Sequence, residues 1–416
     1  MAIRMKYKNL FKSLEKKYLL NKVVTKNSYP LLDDAFTFDD LQKGIDVILS
    51  GKLTMGEVTE RFEYEFAKFL NCKYALMVNS GSSANLLAAF ALTNPKKKNF
   101  LKRGDEFLIQ ALCWSTSLWP LFQAGLKPKF IDVNSKSFNI DTVELEKNIS
   151  SRTKALMLVH VLGNCSNVEK IKRICKSNDI FLIEDSCESL GTKYNKKYVG
   201  TFGDFGTYSF YYSHQITAGE GGMIVCNNLS DFKIIHELRA HGWDRTRNHK
   251  KKVISNQKFN FINSGFNVRP LDISAAIGMN QFKRLNYMKD IRKFNKKKII
   301  HKLISNKKWD NQFSFLEESK NVQPSWFGLP ILINRRYKHK KNLFLKYLLK
   351  NNIESRPIIS GNFVNQKSVK LFNLNPTNKT FKNSQEIEDL GFFIGLHTKK
   401  INDRDLDYLT EKLLSI

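Results

Sequence analysis

The stretch YALMVNSGSSANLLAAFAL, residues 74–92, joins an apolar run of strand length to a Ser and Gly turn, which opens into a helix of good formers. A helix beginning at Ser82 or Ser83 presents free backbone N–H groups, and Gly81 lets an anion approach the backbone closely. That order suits a phosphate. Taken singly it is a weak signal, because many strand-to-helix turns carry small residues.

The alternation continues downstream. DEFLIQALCW (105–114) reads as strand and turn, LWPLFQAGL as helix and KPKFIDVN as strand; a helix follows from Asp141, then the strand KALMLVHVLGN and a helix through Cys175. Strand then helix, repeated, predicts an α/β fold with a mostly parallel sheet covered on both faces. DIFLIEDSCESLG places Asp185 just past a buried apolar run, at the strand edge where open α/β sheets bind ligands. The stretch TYSFYYSHQITAGEGGMIV (207–225) reads as a loop that holds His214, and the strand GMIVCNN follows it.

Upstream, Leu10, Phe11, Leu14, Tyr18 and Leu19 recur at helical spacing in a basic N-terminal segment. Helices are predicted from Phe38 to about Ser50, stopped by Gly51, and over residues 57–70. GWDRTRNHKKKVISNQKFNFIN (242–263) is polar and reads as a loop that is either mobile or ordered on binding. A lysine-rich helix from about Lys283 to Ser305 links a large domain to a smaller one, followed by a strand at SWFGLPILI, a helix over Tyr337 to Lys350 and a closing helix from Asp403. The division expected is an N-terminal helical segment (1–54), a large ligand-binding domain (55–290) and a small α+β C-terminal domain (291–416).

The chain has 416 residues, 42% of them hydrophobic, which suits a two-domain globular protein. Its formal charge of +29 comes from lysines spread singly and in short runs such as Lys96 to Lys98 and Lys296 to Lys298. A solvated lysine surface accounts for that, with steering of a phosphorylated small molecule as the second reading. No basic, aromatic-studded motif supports nucleic-acid binding. Cys72, Cys113, Cys165, Cys175, Cys187 and Cys226 show neither CxxC spacing nor the density of a disulfide scaffold, so a reducing, cytoplasmic setting is expected. No apolar run is long enough to span a membrane, and none is followed by a small-residue cleavage site.

Gly81 and Ser82, Trp114, Asp185, Ser209, position 214, GEGG at 219–222 and Asn267 stand in a telling order. It resembles the DegT/DnrJ/EryC1/StrS family of sugar-nucleotide aminotransferases and dehydratases, within the fold-type I pyridoxal-phosphate group. The match runs from about residue 55 to the end. Most members keep a lysine in an SFxxxK context, whereas YYSHQITAGEGG carries His214 and resembles a histidine-bearing branch. That branch comprises 3-dehydratases of nucleotide-linked 4-keto-6-deoxy sugars. RAHGWDR, GFNVRP, WFG and ESRPIISGNF are similar to members acting on GDP-4-keto-6-deoxy-D-mannose.

The resemblance implies a mostly parallel, seven-stranded sheet sandwiched by helices, a homodimer, and pyridoxal or pyridoxamine phosphate as cofactor. Asp185 would pair with the pyridine nitrogen, keeping it protonated so that the ring accepts electrons. Glu188 would lie near the ring hydroxyl, and Trp114 would offer a face for stacking. Gly81, Ser82 and Ser209 would donate to the phosphate. Asn267 would reach that phosphate from the neighbouring subunit, and Arg269 would face the substrate diphosphate or brace a helix start. His214 would move protons but form no stable link to an aldehyde, as a lysine does. It would abstract a proton so that the C3 hydroxyl leaves, with glutamate as amino donor.

Two other readings stand beside this one. A related CDP-linked dehydratase also has histidine here but holds a [2Fe-2S] cluster on four thiolates. GWDRTRNHKKK has no cysteine where three of those crowd, and Cys187 is left without partners, so no iron-sulfur cluster is expected. The motifs leave open a CDP-sugar enzyme lacking the cluster, and a non-catalytic homologue that binds a sugar nucleotide.

Overall fold

The strand-then-helix rhythm appears in the computed structural model, which describes residues 8–20, 28–33, 35–54, 56–244, 260–316, 318–319, 321–374 and 379–416. The large sheet takes β1 (Tyr74–Val78), β2 (Glu106–Gln110), β3 (Lys127–Ile131), β4 (Thr153–Val159) and β5 (Phe181–Asp185). A small hairpin, β6 (Lys193–Tyr194) and β7 (Lys197–Tyr198), precedes its last two strands, β8 (Phe205–Ser209) and β9 (Gly222–Cys226). Its seven strands lie in the order β1-β9-β8-β5-β4-β2-β3. β2, β3, β4, β5 and β8 pair in parallel, and β9 runs antiparallel to both of its neighbours.

Burial follows from that topology. Every residue of β8 and β9 is buried, as strands covered on both faces must be. Residues of β1 and β9 alternate between two cores. Leu76, Val78 and Ile224 face Ala84, Leu87 and Ala88 of the Gly81–Leu92 helix, whose small side chains let it lie close to the sheet. Ala75, Met77, Met223 and Val225 face Phe62 and Phe66 of the Glu57–Leu70 helix. Those rings meet Phe210 and Phe282 at centroid separations of 5.4 and 5.2 Å. Burying each such ring stabilises the fold by about 1.5–3 kcal/mol relative to leaving it in water.

One buried carboxylate braces the approach to β8. Glu184 accepts from the N–H groups of Gly200 (2.8 Å), Phe202 (2.6 Å) and Gly203 (2.8 Å), and pairs with His160 Nε2 at 3.0 Å. Burial pushes Glu184 up, but His160 and the backbone donors outweigh it and hold the carboxyl below its ordinary range. The hairpin turn into β8 is thereby fixed next to Asp185.

The Leu285–Ile304 helix leads to a second, antiparallel sheet of β10 (Phe313–Phe315), β12 (Gly328–Ile333), β13 (Ser355–Arg356) and β14 (Gly391–Gly395), ordered β10-β12-β14-β13. β11 (Val322–Gln323) pairs instead with β6. β14, GFFIG, has no counterpart in the sequence reading: five residues bounded by glycines look like a loop until β12 is there to pair with them. The helix expected from Tyr337 is split into a 3-10 turn, Arg335–Lys340, and an α-helix, Lys341–Lys350.

At the N-terminal end, Lys8–Leu20 is helical as expected, with Phe11 buried. Leu19 is 59% exposed and falls off the apolar face. Residues 1–7 and 21–27, and 245–259 of the predicted loop, lie outside the described residues. Among the described residues no helix is long and apolar enough to cross a membrane.

Candidate active site

Because β1, β2, β5 and β8 run the same way, their C-terminal ends share one edge of the sheet, where α/β folds bind ligands. Asp185 and Ser209 are the last residues of β5 and β8, and the segments following β1 and β2 carry Gly81, Ser82 and Trp114. The fold therefore gathers residues spread over more than a hundred positions.

At the first of these ends Ser80 caps the Gly81–Leu92 helix, its hydroxyl accepting from Ser83 N at 3.1 Å, one residue earlier than the sequence suggested. The first N–H groups of a helix have no intrahelical acceptor, so those of Gly81 and Ser82 are left to point out of its end. A side chain at Gly81 has no room, since a Cβ there would lie 2.6 Å from Ser209 Cβ and 2.8 Å from Cys187 Sγ. Ser209, Gly81 and Cys187 are thus in direct contact. Ser82 Oγ lies 2.8 Å from Thr116 Oγ1, tying this helix start to that of the Ser115–Gln123 helix.

Trp114 stands at that second helix start with extended backbone (φ −86°, ψ 156°). It is 55% exposed, which leaves its ring available.

Asp185, at the end of β5, is buried and fully engaged. Its Oδ2 accepts from Asn85 Nδ2 (2.8 Å) and Ser117 Oγ (2.7 Å), and its Oδ1 from Cys187 N (3.2 Å). Behind Asn85, Thr207 Oγ1 donates to Asn85 Oδ1 at 2.6 Å. Asn85, Ser117 and Thr207 were not singled out by sequence reasoning. The first two look like ordinary residues of helices and the third like a strand residue, and only the packing of both helices on the sheet brings them to the carboxylate.

Glu188 is half-buried and accepts from Leu162 N at 2.9 Å. Burial pushes its carboxyl up to about 7; the Leu162 N–H opposes this, and the charge of Asp185 adds to it. At neutral pH it is poised between a donor and an acceptor.

His214 sits in the β8–β9 loop, five residues past Ser209, with its ring set edge-to-face against Phe327 (5.1 Å) and Tyr211 (5.9 Å). Its Nδ1 is buried and finds no hydrogen-bond partner among the described residues. Burial, and then the charge of Arg292, push the imidazole down to about 3, so it is neutral across the ordinary pH range. Arg292, itself buried, comes from the Leu285–Ile304 helix and donates to His214 O at 3.3 Å and Leu396 O at 3.1 Å. Next in the loop, Gln215 Nε2 donates to the carbonyls of Glu188 and Ser325. Loop, large sheet and small sheet meet at this point. His214 also lines a cavity of about 200 Å³ with Tyr212, Tyr287, Met288, Arg292 and Lys399. No described hydrogen bond joins it to Asp185, Ser209 or Gly81.

Asn267 and Arg269 pair with each other, Arg269 Nε donating to Asn267 Oδ1 at 2.9 Å. Asn267 is exposed, while the carbonyl of Val268 beside it accepts from Asn79 N at 3.1 Å, next to the phosphate turn. Neither side chain is part of the Asp185 network.

The donor set fits a phosphorylated pyridine. A helix start with free N–H groups and no Cβ in the way, a hydroxyl at Ser209, a carboxylate at the end of β5 and an exposed indole lie along one edge.

Known proteins share this architecture. The model of the DegT/DnrJ/EryC1/StrS aminotransferase family matches residues 37–414. GDP-4-keto-6-deoxy-D-mannose 3-dehydratase of Escherichia coli O55:H7 (strain CB9615 / EPEC) is 38% identical over 395 residues, covering 93% of this chain and 99% of that protein. Two solved structures, each 36% identical and covering 93% of this chain and 100% of the other, superpose well. One is a mutant of GDP-4-keto-6-deoxymannose-3-dehydratase with bound GDP-perosamine (TM-score 0.85). The other is the same enzyme with a trapped PLP-glutamate geminal diamine (TM-score 0.84). Sheet order, strand-edge site and similarity over nearly the full length agree, and the chain belongs to the DegT/DnrJ/EryC1/StrS aminotransferase family.

Proposed function

We propose that this chain is a pyridoxamine/pyridoxal-phosphate-dependent 3-dehydratase that removes the C3 hydroxyl of GDP-4-keto-6-deoxy-D-mannose, giving a 4-keto-3,6-dideoxy sugar nucleotide. One observation carries the reading. The β8–β9 loop, from Phe210 to Gly221, offers His214 as a base and contains no lysine, so it has a proton acceptor and no tether. Similarity to GDP-4-keto-6-deoxy-D-mannose 3-dehydratase over almost the whole length supports the sugar and the nucleotide.

When bound, the pyridoxamine form would supply an amine that condenses with the C4 ketone, losing water, and a ring that takes up electrons so that the C3–O bond can break; hydrolysis would then release the nitrogen as ammonia, restore the C4 ketone and leave the pyridoxal form. The chain does the rest. Gly81 and Ser82 N–H groups and the Ser209 hydroxyl hold the phosphate, and Trp114 covers a ring face. Asp185 holds the proton on the ring nitrogen, and Glu188 hydrogen-bonds the ring hydroxyl. His214 takes a proton from the cofactor's C4′ carbon and hands it to the departing C3 oxygen. Burial and the charge of Arg292 hold the imidazole in its neutral form, the form that can accept a proton. Glutamate restores the amine, a role consistent with the glutamate adduct trapped in the related enzyme.

In this reading residues 55–290 hold the cofactor, 291–416 form the small domain and 1–54 the N-terminal segment. The enzyme works as a cytoplasmic homodimer. Asn267 of one copy reaches the phosphate of the other, and Arg269 faces the substrate diphosphate. Borohydride reduction of the loaded protein, followed by mass spectrometry, tests the carrying observation. We expect no cofactor attached to any lysine; a lysine-bound cofactor would sink the reading. Competition between GDP and CDP for the substrate site tests the nucleotide.

A further inference from the structure

Asn85 lies one turn into the helix whose start we assign to the phosphate, and it is 2% exposed amid alanines and leucines. A primary amide there is costly unless all of its hydrogen bonds are made. They are made in one sense only. Its Nδ2 donates to Asp185 Oδ2 at 2.8 Å and to Thr116 O at 3.2 Å, while its Oδ1 accepts from Thr207 Oγ1 at 2.6 Å. Thr116 O is a carbonyl and can only accept, so the NH₂ group must face it and, with it, the carboxylate. Thr207 is fully buried in the middle of the sheet and locks the other side of the amide.

The consequence falls on Asp185. Ser117 Oγ, also fully buried, adds a second donor to Oδ2 at 2.7 Å; Oδ1 takes the Cys187 N–H at 3.2 Å, and the Cys187 thiol lies on the same carboxyl group. Donors therefore sit on both oxygens, two of them on Oδ2. Donors held on both oxygens fix the plane of the carboxyl group.

Resting on the functional reading above, we propose that Asn85 is a positioning residue for Asp185. Held by Thr207, its amide fixes the plane of the carboxyl group and turns Oδ1 to the ring nitrogen, and that placement keeps the proton of the pair on the cofactor. The same helix then governs both ends of the cofactor: its first N–H groups hold the phosphate, and Asn85, four residues on along the same face, sets the partner of the ring nitrogen.

The test uses the full chain loaded with ¹⁵N-pyridoxal phosphate and follows the ring-nitrogen NMR signal, the cofactor Kd and turnover. In the wild type the signal should be that of a protonated pyridinium. In Asn85→Leu, which keeps the volume and removes the donor, it should move toward neutral pyridine. Turnover should fall roughly tenfold to a hundredfold, the effect of losing one hydrogen bond to a charge, with KM for the sugar nucleotide little changed. Thr207→Val should shift the signal the same way and Thr207→Ser should restore it, which keeps the test decisive if Asn85→Leu fails to fold. A wild-type nitrogen signal in both Asn85→Leu and Thr207→Val, with only thermal stability lowered, overturns the proposal and leaves the functional reading standing. A wild-type chain that binds no cofactor overturns both.

Discussion

Two ends of the same site are built on opposite principles. Around Asp185 the polar groups are satisfied: three donors converge on the carboxylate, and Asn85 behind it is itself fixed by Thr207. Around His214 the surroundings are ring faces, Nδ1 has no partner among the described residues, and the nearest charge, that of Arg292, repels a proton. A group that must hold one charge state through every turnover gains from saturation. A group that must take a proton and release it is better left unsatisfied, since each fixed partner would add to the barrier of one of the two transfers.

Changing the unsatisfied end should have the largest effect on chemistry and little on binding. His214→Asn should cut turnover about 10²- to 10⁴-fold, the range for losing a general base, while the cofactor Kd measured by dialysis stays within a few-fold. If the Kd collapses as well, His214 belongs to the holding end and the contrast fails. His214→Lys should go further in kind, introducing a tether and shifting the product toward an amino sugar.

A sharper probe is the charge beside the ring. The folded imidazole is pushed below its ordinary 6.5, so the unfolded chain binds more protons and stability is lost as pH falls from 6.5 toward 3. Arg292→Met removes the repulsion but leaves the burial. We expect the His214 ring to titrate higher by roughly half a unit to one unit in the histidine NMR spectrum. The acid loss of stability should shrink by up to about 1 kcal/mol, set against the lost hydrogen bonds to His214 O and Leu396 O. An unmoved titration would mean that Arg292 is only a brace.

Glu188, which feels the charge of Asp185 and whose carbonyl accepts from Gln215 beside His214, is a probe of stability alone. Its folded value, raised from 4.5 to about 7, means that its contribution is fully present below 4.5 and is lost as pH rises through 7. Glu188→Gln should therefore stabilise the apo-protein at pH 8 by about 1–3 kcal/mol and change little at pH 4, as read from urea unfolding at both values. Equal effects at the two pH values would remove the titration from the account.

The parts of this contrast that were legible in the sequence are those written locally. Gly81 and Ser82, Asp185 and His214 each sit in a short string where strand, turn and loop chemistry are contiguous. The supports were not legible. Asn85 stands in a helix that is otherwise apolar, Ser117 is one small residue among others, and Arg292 is one of many cations in a lysine-rich helix, 78 residues from its partner His214. Their roles come from packing between elements, which periodicity does not encode. The small sheet shows the same limit, since β14 depends on β12 for its identity as a strand. The formal charge of +29 gave no hint of any of these supports.

The central claim is that this site has a base and no tether and so removes an oxygen rather than installing an amine. It is tested most directly by incubating the purified chain with pyridoxamine phosphate and GDP-4-keto-6-deoxy-D-mannose, with and without glutamate, and weighing the nucleotide sugar by mass spectrometry. The account predicts a product lighter than the substrate by one oxygen atom, turning over repeatedly only when glutamate is present. A 4-amino sugar retaining its C3 oxygen, or unchanged substrate in the presence of bound cofactor and glutamate, would contradict it.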